Sequence, residues 1–160
     1  MDIFEFAMQM EKDGEQLYRD LAAKAPSTDL APVFEMLANE EVKHYSAIQL
    51  MQAGNAEMAE STIVDDVKNV FAQMDKPEKE FDLAGGQLDL YKKAQDIEEK
   101  SRQFYAEKAE EVDNEKFRDL FLRMAEEEKR HYMLLGDIID FVSRPTQWLE
   151  DAEWNHLEAY

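Results

Sequence analysis

Residues 34–45 read FEMLANEEVKHY, and 87 positions later residues 121–132 read FLRMAEEEKRHY. The correspondence extends upstream at the same shift. Glu11 and Tyr18 return as Glu98 and Tyr105, and Ala7, Gln16 and Ala22 return as Ala94, Gln103 and Ala109. Within the quoted stretch, Glu40, Glu41, His44 and Tyr45 return as Glu127, Glu128, His131 and Tyr132, with no insertion or deletion. Such a duplication implies two copies of one structural unit sharing a core. The shared polar residues would then face each other across it.

Each copy carries the period of two helices. From Ile3 to Lys24, Phe6, Met10, Leu17 and Leu21 recur at three- to four-residue steps, and Ala25-Pro26-Ser27 ends the run. A second helix is expected from Leu30 to Ala53. Thr28 or Asp29 would cap it, Pro32 fits its first turn and Gly54 its C-terminal end. A third runs from Gln87 to Val112, and a fourth opens at Asp113 or Asn114 and continues to about Val142, ahead of Arg144-Pro145. Short connections make 3–53 and 87–143 antiparallel helical hairpins. The joining segment, 54–86, is too long for a turn. Its Ile63, Val67, Val70 and Phe71 read as a short helix over 62–73, with Ser61 as a plausible cap. Two hairpins joined by a crossover form the ferritin-like version of a four-helix bundle. The expectation is therefore an all-α, single domain over 1–160. A last short helix over 146–160 would use Trp148, Leu149, Trp154, Leu157 and Tyr160 to cover an end of the bundle or a subunit contact.

Composition narrows the chemistry. The 160 residues include no Cys, which rules out disulfides, thiolate metal sites and cysteine nucleophiles within them. The net charge of −19 repels nucleic acid and anionic membranes and attracts cations. Met1-Asp2-Ile3-Phe4-Glu5 does not open a signal peptide, and no run approaches the length of a membrane span. A cytoplasmic protein is expected.

The motif with chemical content is Glu-x-x-His. Residues three apart on a helix point to nearly the same side, so both can reach one metal ion. Glu41/His44 and Glu128/His131 satisfy this, mid-helix and beside the apolar residues Phe34, Leu37 and Ala38 or Phe121, Met124 and Ala125. Glu153/His156 has the same spacing but stands outside the repeat, and reads as an exposed helix pair. Glu11 and Glu98 each lie 30 residues before a motif glutamate, far enough for the chain to turn and return to the same height. Four carboxylates and two imidazoles result. They balance two divalent cations, and without metal the four acids should have raised pKa values. Tyr18 and Tyr105, two turns beyond Glu11 and Glu98, read either as core tyrosines or as donors of a hydrogen bond to a ligand carboxylate. Gly14 and Ser101, three residues beyond, either leave room beside the metals or allow close helix approach. Glu15, Glu99 and Glu111 have no repeat partners and are expected to face solvent.

The segments AMQMEKDGEQLYRDLA and FEMLANEEVKHY, then AQDIEEKSRQFYAEKA and FLRMAEEEKRHY, resemble the rubrerythrin branch of the ferritin-like di-iron carboxylate proteins. The resemblance implies two iron ions held by Glu11, Glu41, His44, Glu98, Glu128 and His131, with manganese or zinc as chemically possible alternatives. It also implies reduction of peroxide or dioxygen, and a homodimer. Rubrerythrins usually append a four-cysteine rubredoxin domain; without Cys, this chain is expected to use a separate electron-donor protein. They also carry a further glutamate where this sequence has Ser101, so a metal movement tied to that ligand is not expected. Rival readings are a ferroxidase or iron-handling protein and a non-catalytic metal-binding protein.

Overall fold

The computed structural model describes residues 2–74 and 86–144. Its elements are α1 (Ile3–Ala23), α2 (Ala31–Gln52), α3 (Ile63–Ala72), α4 (Gln87–Glu111) and α5 (Glu115–Ser143). This is the expected all-α arrangement. The expected C-terminal helix over 146–160, the Glu153/His156 pair and crossover residues 75–85 lie outside the described residues. No described helix is long and apolar enough to cross a membrane.

Local chemistry sets the helix ends. Asp2 accepts a hydrogen bond from the Glu5 N–H at 2.8 Å, and Asn114 accepts one from Phe117 N–H at 3.1 Å. At α2 the cap differs from expectation. Neither Thr28 nor Asp29 caps the helix; Ser27 Oγ accepts from Leu30 N–H at 3.2 Å, and Pro32 occupies the first turn. Gly54, at φ +89°, leaves α2 in the left-handed conformation that glycine adopts without strain. Before α3, Ser61 Oγ accepts from Ile63 N–H at 3.3 Å.

Inter-helix pairings fix the topology. Gly14 lies beside Glu41 and His44 beside Glu11, so α1 and α2 run antiparallel. Tyr18 pairs with Glu98 and Tyr105 with Glu11, so α1 and α4 are antiparallel too. Helix α2 must then run parallel to α4. A connection between parallel helices has to travel the bundle's length, roughly 30 Å for a helix of this size. That requirement explains the long crossover and gives α3 its place on the side of α2.

Two apolar clusters fill the interior. One gathers Leu21, Val33, Phe34, Leu37, Val67, Phe71, Tyr91, Leu134, Ile138 and Phe141. The other gathers Ala47, Ile48, Met51, Tyr105, Leu120, Phe121 and Met124. The buried polar residues stand between them in sequence on every long helix. Phe71 of α3 is fully buried and meets Phe141 edge-on, with ring centroids 5.1 Å apart. Phe71→Ala should therefore lower unfolding free energy by about 3–5 kcal/mol in a denaturant titration. A loss under about 1 kcal/mol would mean that α3 is not part of the core.

Candidate metal centre

Six residues converge where the four long helices meet. Glu11 comes from α1, Glu41 and His44 from α2, Glu98 from α4, and Glu128 and His131 from α5. All are buried. Their ligand atoms form two groups, Glu11–Glu41–His44–Glu128 and Glu41–Glu98–Glu128–His131, each with atoms within 4.8 Å of one another. Glu41 and Glu128 belong to both groups. Each hairpin therefore contributes one carboxylate and one imidazole of its own, and one carboxylate held in common.

Five of the donor atoms have no hydrogen-bond partner. Glu11 Oε2, His44 Nδ1, Glu98 Oε2, Glu128 Oε1 and His131 Nδ1 are buried and unpartnered. His44 Nδ1 comes to 2.7 Å from Glu128 Oε1 without hydrogen-bond geometry. Buried polar atoms left so are costly unless something coordinates them. Four carboxylates and two imidazoles are a donor set suited to two divalent cations of the iron or manganese type. The residues fit a metal pair on their own chemistry.

A second layer orients the ligands. Tyr18 donates to Glu98 Oε1 at 2.5 Å, and Tyr105 donates to Glu11 Oε1. Tyrosine–carboxylate bonds are thus present, and each crosses to the other hairpin. His44 Nε2 lies 2.9 Å from Glu127 Oε1, and His131 Nε2 lies 3.4 Å from Glu40 Oε1. With a carboxylate at Nε2, each ring in its neutral form would carry its hydrogen there and leave Nδ1 available to a metal. Lys43 Nζ joins these outer acids, 2.8 Å from Glu127 and 3.3 Å from Glu40, and Ser61 of the crossover donates to Glu40. Sequence reasoning assigned no role to Glu40 and Glu127. Their recurrence at the 87-residue shift was the available signal.

Gly14 resolves in favour of close approach. A Cβ there would stand 3.0 Å from Cδ and Oε2 of Glu41, so the space is taken by the shared carboxylate and not left open. Ser101, its counterpart, is buried. Glu111 is exposed as expected, whereas Glu15 and Glu99 are only half-exposed and pair with Arg19 and Arg102.

The family model described as Rubrerythrin matches residues 2–139 and 89–160. The chain belongs to the rubrerythrin family. Comparison with curated proteins and with solved structures gave no match. Rubrerythrin membership and the clustered acids agree on a di-iron carboxylate type of protein whose buried centre could hold metal ions.

Without metal, protons supply the compensating charge. Burial, then the neighbouring Glu11, Glu128 and Glu98, raise Glu41 well above the ordinary carboxylate range. Burial, Glu98 and Glu11 do the same to Glu128. Glu98 departs from the expected rise. Burial alone would lift it, but hydrogen bonding with Glu128, the adjacent His131 and Tyr18 bring it down to about 2. Burial opposes charge on the histidines, yet Glu11 raises His44 well above its usual value, and Glu98 with Glu40 raises His131 to about 10. Burial and the facing carboxylates keep Tyr18 and Tyr105 protonated donors.

The pH dependence follows from these directions. His131 keeps its proton to about pH 10 when folded, against 6.5 as its ordinary value. Its stabilising contribution is complete below the lower value and is lost as pH rises through the upper one. Raised Glu41, Glu128 and His44 act in the same sense, while lowered Glu98 matters only in acid. The metal-free protein should melt at progressively lower temperature as pH rises from neutral toward 10. Binding a divalent metal near neutral pH should release protons, measured by calorimetry in buffers of different ionisation enthalpy. Metal uptake without proton release would contradict the assignment.

Gly14→Ala separates stability from ligand geometry. Alanine favours a helix over glycine by about 1 kcal/mol, so the metal-free fold should persist. Displacing Glu41 should weaken metal binding by about tenfold, or about 1.4 kcal/mol. Unchanged affinity in a competition titration would show that Glu41 yields freely.

Proposed function

We propose that this protein is an oxidoreductase that reduces peroxide or dioxygen at a pair of iron ions held by Glu11, Glu41, His44, Glu98, Glu128 and His131. The observation that carries the reading is the pair of ligand groups sharing Glu41 and Glu128 inside the bundle. An iron pair supplies two electrons, one from each ferrous ion, which with two protons reduce one hydrogen peroxide to two waters.

The chain's own residues prepare that chemistry. Glu11, Glu41, Glu98 and Glu128 offset the positive charge of the cations, and the apolar clusters to either side exclude bulk water. Tyr18 and Tyr105 hold the unshared carboxylates in orientation, so those oxygens need not be rearranged when charge at the centre changes. Glu40 and Glu127 fix the imidazole rings, with Lys43 between them restraining both acids. We place the electron source outside these 160 residues, which offer no cysteine for a thiolate-held redox site. We place the working form as a homodimer in the cytoplasm.

One rival has an observation in its favour. The net charge of −19 gathers cations, as an iron-handling protein or ferroxidase would require. Metal stoichiometry and assembly mass separate the two: iron handling calls for many irons per chain and a large hollow assembly.

Stopped-flow mixing of the Fe(II)-loaded protein with hydrogen peroxide, and separately with dioxygen, tests the enzymatic reading. Oxidation by at least one oxidant should be faster than for free Fe(II) and should be lost in Glu128→Ala. Indifference to both oxidants would end it.

A further inference from the structure

A cleft of about 160 Å³ lies between α1 and α2, lined by Glu11, Lys12, Glu15, Glu41, Val42 and Tyr45. Two of these, Glu11 and Glu41, are ligands of the centre described above. Glu11 is 1% exposed, and its Oε2 has no hydrogen-bond partner. At the outer part stand Glu15, whose side chain is 35% exposed, and Val42, which is 39% exposed. The cleft thus runs from solvent-accessible side chains to an unpartnered buried carboxylate oxygen.

Its charge favours a cation. Three carboxylates line the cleft against one ammonium, and Lys12 Nζ sits over the Tyr45 ring, 5.6 Å from the centroid. Arg19 pairs with Glu15 at 3.0 Å but also binds Glu35 and Asn39, outside the lining. The duplicated half breaks the symmetry here. The 87-residue shift places Arg102 where Glu15 stands and Lys129 where Val42 stands. Arg102 is locked to Glu99 at 2.5 Å, the residue that corresponds to Lys12. The first half presents an acid and a small apolar residue where the second presents two cations.

We propose that the α1–α2 cleft is the port through which a divalent cation reaches the centre, with Glu15 drawing the ion toward Glu11 and Glu41. The inference rests on the metal-binding reading of the six ligands and adds a direction of entry. Loading then proceeds through the first hairpin, although the ligand set itself is symmetric.

Association of Co(II) with the metal-free protein, followed by stopped-flow visible absorbance, provides the test. Val42→Trp would fill the cleft and should lower the association rate by about tenfold or more, while the final stoichiometry stays at the wild-type value. Lys129→Trp, the same substitution on the other half, should not slow loading. Glu15→Gln should slow loading severalfold at about 0.01 M salt, and the deficit should vanish near 1 M, where screening shortens to about 3 Å. Should Val42→Trp fail to fold, as judged by helical circular dichroism, Glu15→Gln alone decides. Unchanged rates in Val42→Trp and Glu15→Gln, or equal slowing in Lys129→Trp, would overturn the port. Failure of the wild-type protein to take up Co(II) at all would instead overturn the metal centre.

Discussion

Four carboxylates buried within one bundle cannot all stay ionised unless positive charge stands among them. Isolated burial of even one such charge costs several kcal/mol, and mutual repulsion adds to it. The polar groups around them answer this constraint. The two imidazoles bring positive charge when protonated, and Glu41 and Glu128 hold protons where no metal does. Tyr18 and Tyr105 bond the unshared carboxylates, and the Glu40–Lys43–Glu127 layer keeps the imidazoles turned inward. Two divalent cations satisfy the same requirement with fewer rearrangements, since the donor atoms are already convergent.

Duplication explains how a chain reaches this arrangement. One hairpin alone supplies Glu11, Glu41 and His44, which is half of a centre with no second layer for its own carboxylate. The hydroxyl that bonds Glu11 belongs to Tyr105, and the one that bonds Glu98 belongs to Tyr18. The acid behind His44 is Glu127, and the acid behind His131 is Glu40. Each hairpin thus completes the other. The centre and the packing of the two halves are therefore one cooperative structure, and the long crossover is the geometric consequence of setting α2 parallel to α4.

Much of this was legible in the residues. The helical period and short turns marked the hairpins, and the 87-residue shift together with the Glu-x-x-His spacing pointed to the six residues that converge in the bundle. The less legible features depend on contacts between helices. Sequence spacing placed Tyr18 near Glu11 on one helix, but only the antiparallel packing of α1 on α4 gives it Glu98 as partner. Glu40 and Glu127 look like neighbours in acidic runs until both are seen behind a histidine. Gly14 read equally well as a void or a close contact, and the position of Glu41 decides it. The lowered Glu98 was missed because a uniform rise considers only burial and repulsion among the acids, whereas Glu128, His131 and Tyr18 around Glu98 favour its charged form.

The claim underlying the account is that six side chains from two related hairpins enclose a dinuclear metal centre. Anomalous diffraction from crystals of the iron-loaded protein, recorded on both sides of the iron edge, tests it most directly. The account predicts two peaks about 3.5–4 Å apart, both bounded by Glu41 and Glu128, one beside Glu11 and His44 and the other beside Glu98 and His131. A single peak, or iron confined to the acidic exterior with the six side chains unchanged, would contradict it.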